Sequence, residues 1–251
     1  MMRIIYEPRG KALEYAPLAA SLYRGCDHGC EYCFAPDITK TERHQFINPY
    51  QRTNALKHFE KDCADLEKAG DTREILMSFT TDPFQRLESV AGLTHAAIKI
   101  LHMHNRPYSI LTKGGLRSMV DIPLMAERKD LCRYATTLTC YKKADEQKWE
   151  PNAAPYHERV AALKMAHELG IRTWVSMEPI IDPEQSLWLI EQTAGAGYVD
   201  LYRIGKMNHV DPGFEEKELH NFVRNAKIIL DKYNRNYVFK NDMAPYLPKM
   251  E

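Results

Sequence analysis

Cys26, Cys30 and Cys33 fall within eight residues, in the stretch Tyr-Arg-Gly-Cys-Asp-His-Gly-Cys-Glu-Tyr-Cys-Phe that runs from Tyr23 to Phe34. Their spacing is C-x3-C-x2-C. Three soft thiolates at this density can hold three irons of a [4Fe–4S] cluster, a group that ordinarily takes four protein ligands. No fourth cysteine follows nearby, so a fourth iron would keep an open coordination position where chemistry can occur. Gly25 and Gly29 flank the ligand cysteines and permit the tight backbone path around a cluster. A structural zinc site would pair two C-x2-C halves or add histidines in order; here His28 lies inside the loop and no second pair follows. A disulfide framework belongs to short secreted chains.

The elements that must carry this loop alternate along the chain. Leu18–Tyr23, Glu74–Phe79, Pro107–Thr112, Arg133–Thr139, Ile171–Met177, Val199–Ile204 and Tyr237–Lys240 read as strands. Asn54–Ala69, Val90–His104, Leu116–Glu127, Pro155–Leu169, Pro183–Ala194 and Glu215–Tyr233 read as helices, with Gly170 capping the fourth. Cys140–Ala154 reads as a long loop. Strands alternating with helices imply right-handed βαβ units and a parallel sheet. The expected fold is an α/β partial (β/α)6 barrel. It forms a single domain over residues 1–251, with a core at about 18–210 and a terminal helix and strand at about 215–240.

The 251 residues are 44% hydrophobic, enough for one sizeable core. Cys63, Cys132 and Cys140 form no second clustered motif. The N-terminus lacks the apolar segment of a secretion signal, and no apolar run reaches the length of a membrane span. A reducing, cytoplasmic location and no membrane partner are therefore expected. The 34 basic and 34 acidic residues cancel, which argues against strong nonspecific affinity for nucleic acid. Arg43-His44, Lys57-His58 and Lys142-Lys143 are candidates for a local basic rim, though dispersed charges of this kind commonly form a solvated face.

In parallel α/β barrels, functional groups gather at the C-terminal ends of the strands. That rule selects Cys26–Cys33, Ser78–Asp82, Lys113, Thr137–Cys140, Ser176–Glu178 and Gly205–Asn208. Asp82 and Glu88 can cap the following helix, and Thr-Thr-Asp-Pro is also a good turn former. Glu178 can alternatively pair with Arg203 or Lys206 across the mouth.

The cysteine loop, with the aromatic Tyr32 before its last cysteine, resembles the motif of the radical S-adenosylmethionine (SAM) superfamily. Further pieces narrow the resemblance to the spore photoproduct lyase-like group: Thr81-Asp-Pro-Phe-Gln85 with Glu88, Leu111-Thr-Lys-Gly114, Glu150-Pro-Asn-Ala-Ala-Pro155 with Arg159, and Met177-Glu-Pro-Ile180. The resemblance spans roughly Leu18 to Asn208. It implies a [4Fe–4S] cluster on Cys26, Cys30 and Cys33, and SAM on the open iron. One-electron reduction of SAM would then give a 5′-deoxyadenosyl radical that abstracts hydrogen from an organic substrate. It implies Tyr32 near the adenine and Lys113 on the SAM carboxylate. Ser78, Thr80 and Thr81 would meet the amino group or ribose, and Thr137, Thr139 and Glu178 the ribose or substrate. A one-electron donor such as flavodoxin or ferredoxin is an expected partner.

The group's lyases use a cysteine as hydrogen-atom donor at a position that here corresponds to Phe79. Cys140, at another strand end, is the candidate donor in its place. A nucleic-acid base or nucleotide is the substrate class the resemblance favours. A flipped base could stack on Tyr141, Trp149 and Tyr156. A peptide or small metabolite is the alternative substrate, and a non-catalytic metal-binding regulatory module the alternative class.

Overall fold

The protein is described by a computed structural model covering residues 3–208, 210 and 213–248. Met1, Met2, His209, Asp211, Pro212 and residues 249–251 lie outside the described residues. Ten strands are present among them: β1 (Ile5–Tyr6), β2 (Leu18–Ala20), β3 (Tyr23–Arg24), β4 (Tyr50–Gln51), β5 (Ile75–Met77), β6 (Tyr108–Thr112), β7 (Cys132–Thr137), β8 (Arg172–Ile180), β9 (Leu201–Lys206) and β10 (Asn236–Phe239). The helices are α1 (Ala35–Thr39), α2 (Arg43–Phe46), α3 (Ala55–Lys68), α4 (Glu88–Ala91), α5 (Leu93–Met103), α6 (Ile122–Glu127), α7 (Lys143–Trp149), α8 (Tyr156–Glu168), α9 (Pro183–Ala196) and α10 (Glu216–Lys232).

Eight strands form one sheet in the order β1-β2-β5-β6-β7-β8-β9-β10. Every pair from β2 to β10 is parallel, and β1 runs antiparallel along the β2 edge. Each parallel step crosses over through a helix, α3, α5, α6, α8, α9 and α10 in turn, as the alternation of apolar runs predicts. The sheet does not close on itself, which is the expected partial (β/α)6 barrel.

Alternate strand residues face opposite sides, and the sheet's two faces bury different clusters. The outer face packs Ile75, Met77, Ile110, Val175 and Ile204 against the helices. The inner face holds a smaller group, Leu76, Ala135 and Trp174 with Ala16, flanked by Tyr15, Phe79, Leu111 and Leu201. Tyr15 reaches this group because the short helical turn Gly10–Glu14 lies along the sheet's open side. The Glu14 carbonyl accepts from Arg203, and its carboxylate accepts from the Asn241 amide at 3.1 Å. Residues 10–15 thus form a plug against the inner face of the sheet.

Several boundaries differ from the sequence reading. The first expected strand divides: β2 stays in the main sheet, while β3 peels away and pairs with β4 to support the cysteine loop. Gly92, at φ +62°, separates α4 from α5 within the expected single helix. Cys140–Ala154 is not all loop, since α7 occupies its centre. β8 runs on through Glu178 and Pro179 to Ile180, with a register irregularity between Met177 and Ile180. Glu178 therefore sits inside the last turn of a strand rather than after it.

Candidate active site

The C-terminal ends of the parallel strands open into a cavity of about 640 Å³. Cys26, Cys30, Cys33, Tyr32, Ser78, Thr80, Thr81, Lys113, Thr137 and Glu178 all line it. Thr139 and Cys140 do not: both are buried beyond the end of β7, where the Cys140 sulfur lies 3.7 Å from the Thr139 hydroxyl and packs with Trp149, Ile181 and Met207.

The cysteine loop is held by backbone bonds from three directions. The Cys26 amide donates to the Phe46 carbonyl at 2.9 Å, and the Glu31 amide to the Trp149 carbonyl at 2.9 Å. The Asn152 amide donates to the His28 carbonyl at 3.2 Å. Gly25 adopts φ +78°, and a Cβ there would stand 2.5 Å from the Phe46 carbonyl oxygen, so this bend requires glycine. Arg43, at the start of α2, donates to the carbonyls of Cys30, Glu31 and Cys33 at 3.0, 2.6 and 3.3 Å. The dispersed basic pair Arg43-His44 thus contributes a clamp on the loop, at least through its arginine.

All six cysteines are free thiols. Burial pushes the Cys30 thiol up to about 12, with Lys113 pulling it the other way. Cys26 is raised first by burial and then by Asp82, and Cys33 by burial. Such thiols lose their protons to solvent readily only when a cation placed among them stabilises the thiolates. Among the described residues, no three His, Cys, Asp or Glu side chains converge as a single metal ion requires. Cys26, Cys30 and Cys33 line one cavity, and three soft thiolate donors fit an iron–sulfur cluster.

Lys113 ends β6 with its ammonium 5.5 Å from the centroid of the Tyr32 ring. Burial disfavours the ammonium, but Cys30 and Glu150 more than offset this and hold Lys113 above the ordinary lysine value. The Tyr32 hydroxyl donates to Glu150, whose other oxygen receives Arg159 at 2.5 Å. Arg159 also donates to the carbonyls of Ala154 at 2.6 Å and Thr137 at 3.0 Å. The Ala154 amide returns to the Lys113 carbonyl at 2.9 Å. The segment Glu150–Pro155 therefore ties the cysteine loop to the ends of β6 and β7.

Asp82 is a hub beneath this layer and not a simple helix cap. Its two oxygens accept from the Phe84 amide, the Thr112 hydroxyl and the Lys113 amide at 2.8, 2.6 and 2.7 Å. His28 is driven down to about 4 by burial, with Asp82 acting in the opposite sense. Arg117 can only donate to His28 Nε2, at 3.0 Å, which leaves the imidazole proton on Nδ1, 3.5 Å from Asp82. Glu88 does cap a helix: it accepts the Thr94 and His95 amides at the start of α5, and also the Tyr23 hydroxyl.

Glu178 pairs neither with Arg203 nor with Lys206. Its partners are Lys240, at 2.7 Å, and the Tyr15 hydroxyl, which also lies 3.0 Å from Ser176. Sequence reasoning missed both partners. Tyr15 comes from the coil plug and carries no local motif; Lys240 follows β10, so the strand-end rule applied to the last strand would have selected it. Tyr141, Tyr156 and Trp188 pack together, Tyr156 edge-on to the other two, and Tyr141 and Trp188 tilted with centroids 4.2 Å apart. Neither they nor the buried Trp149 are among the residues lining the cavity.

The family model described as the radical SAM superfamily matches residues 20–195. An uncharacterized protein of Mycobacterium bovis, Mb2609c, is 35% identical over 136 residues, which cover 46% of this chain and 37% of that protein. The chain thus matches well under half the length of this curated relative. Among solved structures, a variant of spore photoproduct lyase superposes with TM-score 0.68 at 14% identity, covering 90% of this chain and 76% of that one. Another variant of the same enzyme, with bound SAM and a dinucleoside spore photoproduct, gives 0.64 at 13% identity over the same shares. Streptococcus suis SuiB bound to SAM gives 0.66 at 14% identity, covering 93% of this chain and 52% of SuiB. At these identities the likeness is one of fold.

Proposed function

The chain belongs to the radical SAM superfamily, and from that premise we propose an enzyme that cleaves SAM reductively and directs the resulting radical at an organic substrate bearing a nucleobase. When bound to Cys26, Cys30 and Cys33, a [4Fe–4S] cluster would supply one electron to the SAM sulfonium, yielding methionine and a 5′-deoxyadenosyl radical. The single observation that carries this reading is the meeting of three free thiols and the Lys113 ammonium in one cavity.

The residues around that meeting point have separable tasks. Lys113 presents a fixed cation suited to the carboxylate of SAM, and its position is held by its own amide on Asp82 and its carbonyl on Ala154. Tyr32, locked by Glu150, offers a flat ring to an adenine. Ser78, Thr80, Thr81 and Thr137 supply hydroxyls along one wall. Apolar Phe34, Phe79, Leu111 and Met207 exclude water from a radical. Glu178, charge-balanced by Lys240, lines the same cavity from β8 and suits a substrate group. The likeness to an enzyme solved with a dinucleoside supports a nucleobase in that space. The electron would come from a partner such as flavodoxin or ferredoxin.

Anaerobic reconstitution with iron and sulfide tests the reading. The expected result is a brown protein that forms 5′-deoxyadenosine from SAM and dithionite. Cys26→Ala, Cys30→Ala and Cys33→Ala should each abolish that product. A colourless protein that retains zinc after anaerobic purification, or full product from any of the three variants, would overturn it.

A further inference from the structure

A second cleft of about 280 Å³ opens beside the main cavity, and the two share Ile38, Phe46 and Thr80 as walls. Its size falls just below the roughly 300–1,000 Å³ of whole-ligand pockets, so it suits one group of a larger molecule. Arg24 enters it from β3 and Arg52 from the turn after β4, and no aspartate or glutamate is among its lining residues. The two guanidiniums act on each other: Arg52 is held below the ordinary arginine value first by burial and next by the charge of Arg24. Asp62 also acts on Arg52, but its Oδ2 already accepts the amides of Ile4 and Ile5 at 2.7 and 3.0 Å. Arg52 donates to the carbonyls of Ser21 and Arg3, while its buried Nε has no partner. Hydroxyls complete the wall, with Ser21 Oγ 3.1 Å from Thr80 Oγ1.

Two guanidiniums, with no carboxylate among the lining residues, call for an anion with several acceptor oxygens. A carboxylate presents two oxygens in one plane, whereas the tetrahedral oxygens of a phosphate group can accept from Arg24, from Arg52 and from the wall hydroxyls together. The chain's net charge is zero, so this is a built local field and not a share of a general basic surface. We propose that the cleft binds a phosphate group of the substrate, whose organic remainder passes Thr80 and Phe46 into the main cavity. The assignment rests on the nucleobase reading above and specifies which part of a nucleotide is gripped and where.

Calorimetry on the anaerobically reconstituted protein tests it, with thymidine, thymidine 5′-monophosphate, inorganic phosphate and hexathymidylate as probes. The monophosphate should bind at least about tenfold tighter than thymidine, and inorganic phosphate should compete with it. Arg24→Gln, an exposed position, should remove about that tenfold advantage and leave thymidine binding unchanged. Hexathymidylate binding tighter than the monophosphate would assign the phosphate to a nucleic-acid strand, and equal binding to a free nucleotide. Equal affinity for thymidine and its monophosphate, or an undiminished advantage in Arg24→Gln, overturns the proposal. Phosphate binding requires no SAM cleavage, so its loss strikes this cleft alone. Absence of 5′-deoxyadenosine with phosphate binding intact strikes the activity alone.

Discussion

Arg159 Nη2 lies 2.5 Å from Glu150 Oε2, and both side chains are withdrawn from solvent, at 1% and 0% exposure. The pair sits under the cysteine loop and holds Tyr32 through the second carboxylate oxygen. A buried ion pair adds little net stability against a well-packed apolar substitute, but breaking it leaves one charge stranded. Glu150→Gln should therefore lower unfolding stability by about 3 kcal/mol, with the loss read from a urea midpoint. The double variant Glu150→Gln with Arg159→Met should lose less than the sum of the two single losses. Additive losses would mean that the pair is not coupled.

The same pair sets an acid limb. Burial alone would raise Glu150, but Arg159 and Lys113 outweigh it and hold the carboxyl down to about 2, against an ordinary value of 4.5. Above about pH 4.5 the residue is ionised whether the chain is folded or not, and its contribution is complete. Between about 4.5 and 2 the unfolded chain binds a proton that the folded chain refuses, so stability falls as pH falls. The urea midpoint of the metal-free protein should drop more steeply across that window in wild type than in Glu150→Gln. Parallel slopes would remove Glu150 as the cause.

Arg43 gathers the carbonyls of Cys30, Glu31 and Cys33 from an exposed position. Solvent screening limits each bond, so Arg43→Ala should cost global stability only about 1 kcal/mol. Its local effect should be larger, because the clamped carbonyls belong to the candidate ligands Cys30 and Cys33 and to Glu31 between them. Iron should leave the reconstituted variant several-fold faster in excess chelator, followed by loss of visible absorbance. Equal bleaching rates would mean that the backbone bonds to Phe46 and Trp149 suffice to hold the loop.

The fold and half of the site were legible because they repeat local rules. Apolar runs of strand length separated by amphipathic stretches define the seven parallel strands, and the strand-end rule leads to Ser78, Lys113, Thr137 and Glu178. What stayed hidden depends on distance along the chain. Tyr15 and Lys240 reach Glu178 from 163 and 62 residues away, and no periodicity encodes such a meeting. Asp82 read as a turn former because its short-range bond to the Phe84 amide is one; its bonds to Thr112 and Lys113 arise only once β5 and β6 lie side by side. Cys140 shows the opposite case. The rule counted it as a strand-end group, but the chain turns after Thr137 and carries its sulfur into an apolar pocket.

Lys113 lowers the thiol pKa of Cys30 and Cys33 while burial raises it. Lys113→Met should remove one of the influences that oppose burial, the leading one at Cys30. In the metal-free protein at mildly alkaline pH, both thiols should then alkylate a few-fold more slowly, measured peptide by peptide with iodoacetamide. A small free thiol added to the same reaction serves as the internal reference. Unchanged rates at Cys30 and Cys33 would mean that the ammonium does not act on the thiols.

Cys140→Ala separates a hydrogen-donor role from a packing role. The sulfur lies among Trp149, Ile181 and Met207 at 1% exposure and outside the residues lining the main cavity. Removing one buried sulfur there should cost about 1 kcal/mol through the small void it leaves. A donor must approach the substrate radical to within van der Waals contact, and this thiol packs against Met207, which lines the cavity, while Cys140 itself is not among the lining residues. Formation of 5′-deoxyadenosine and of product should therefore persist in Cys140→Ala, and deuterium from exchanged thiols should reach the product equally in both proteins. Loss of product with normal SAM cleavage, or loss of the deuterium label in the variant alone, would restore Cys140 as the donor and require the segment after β7 to open during turnover.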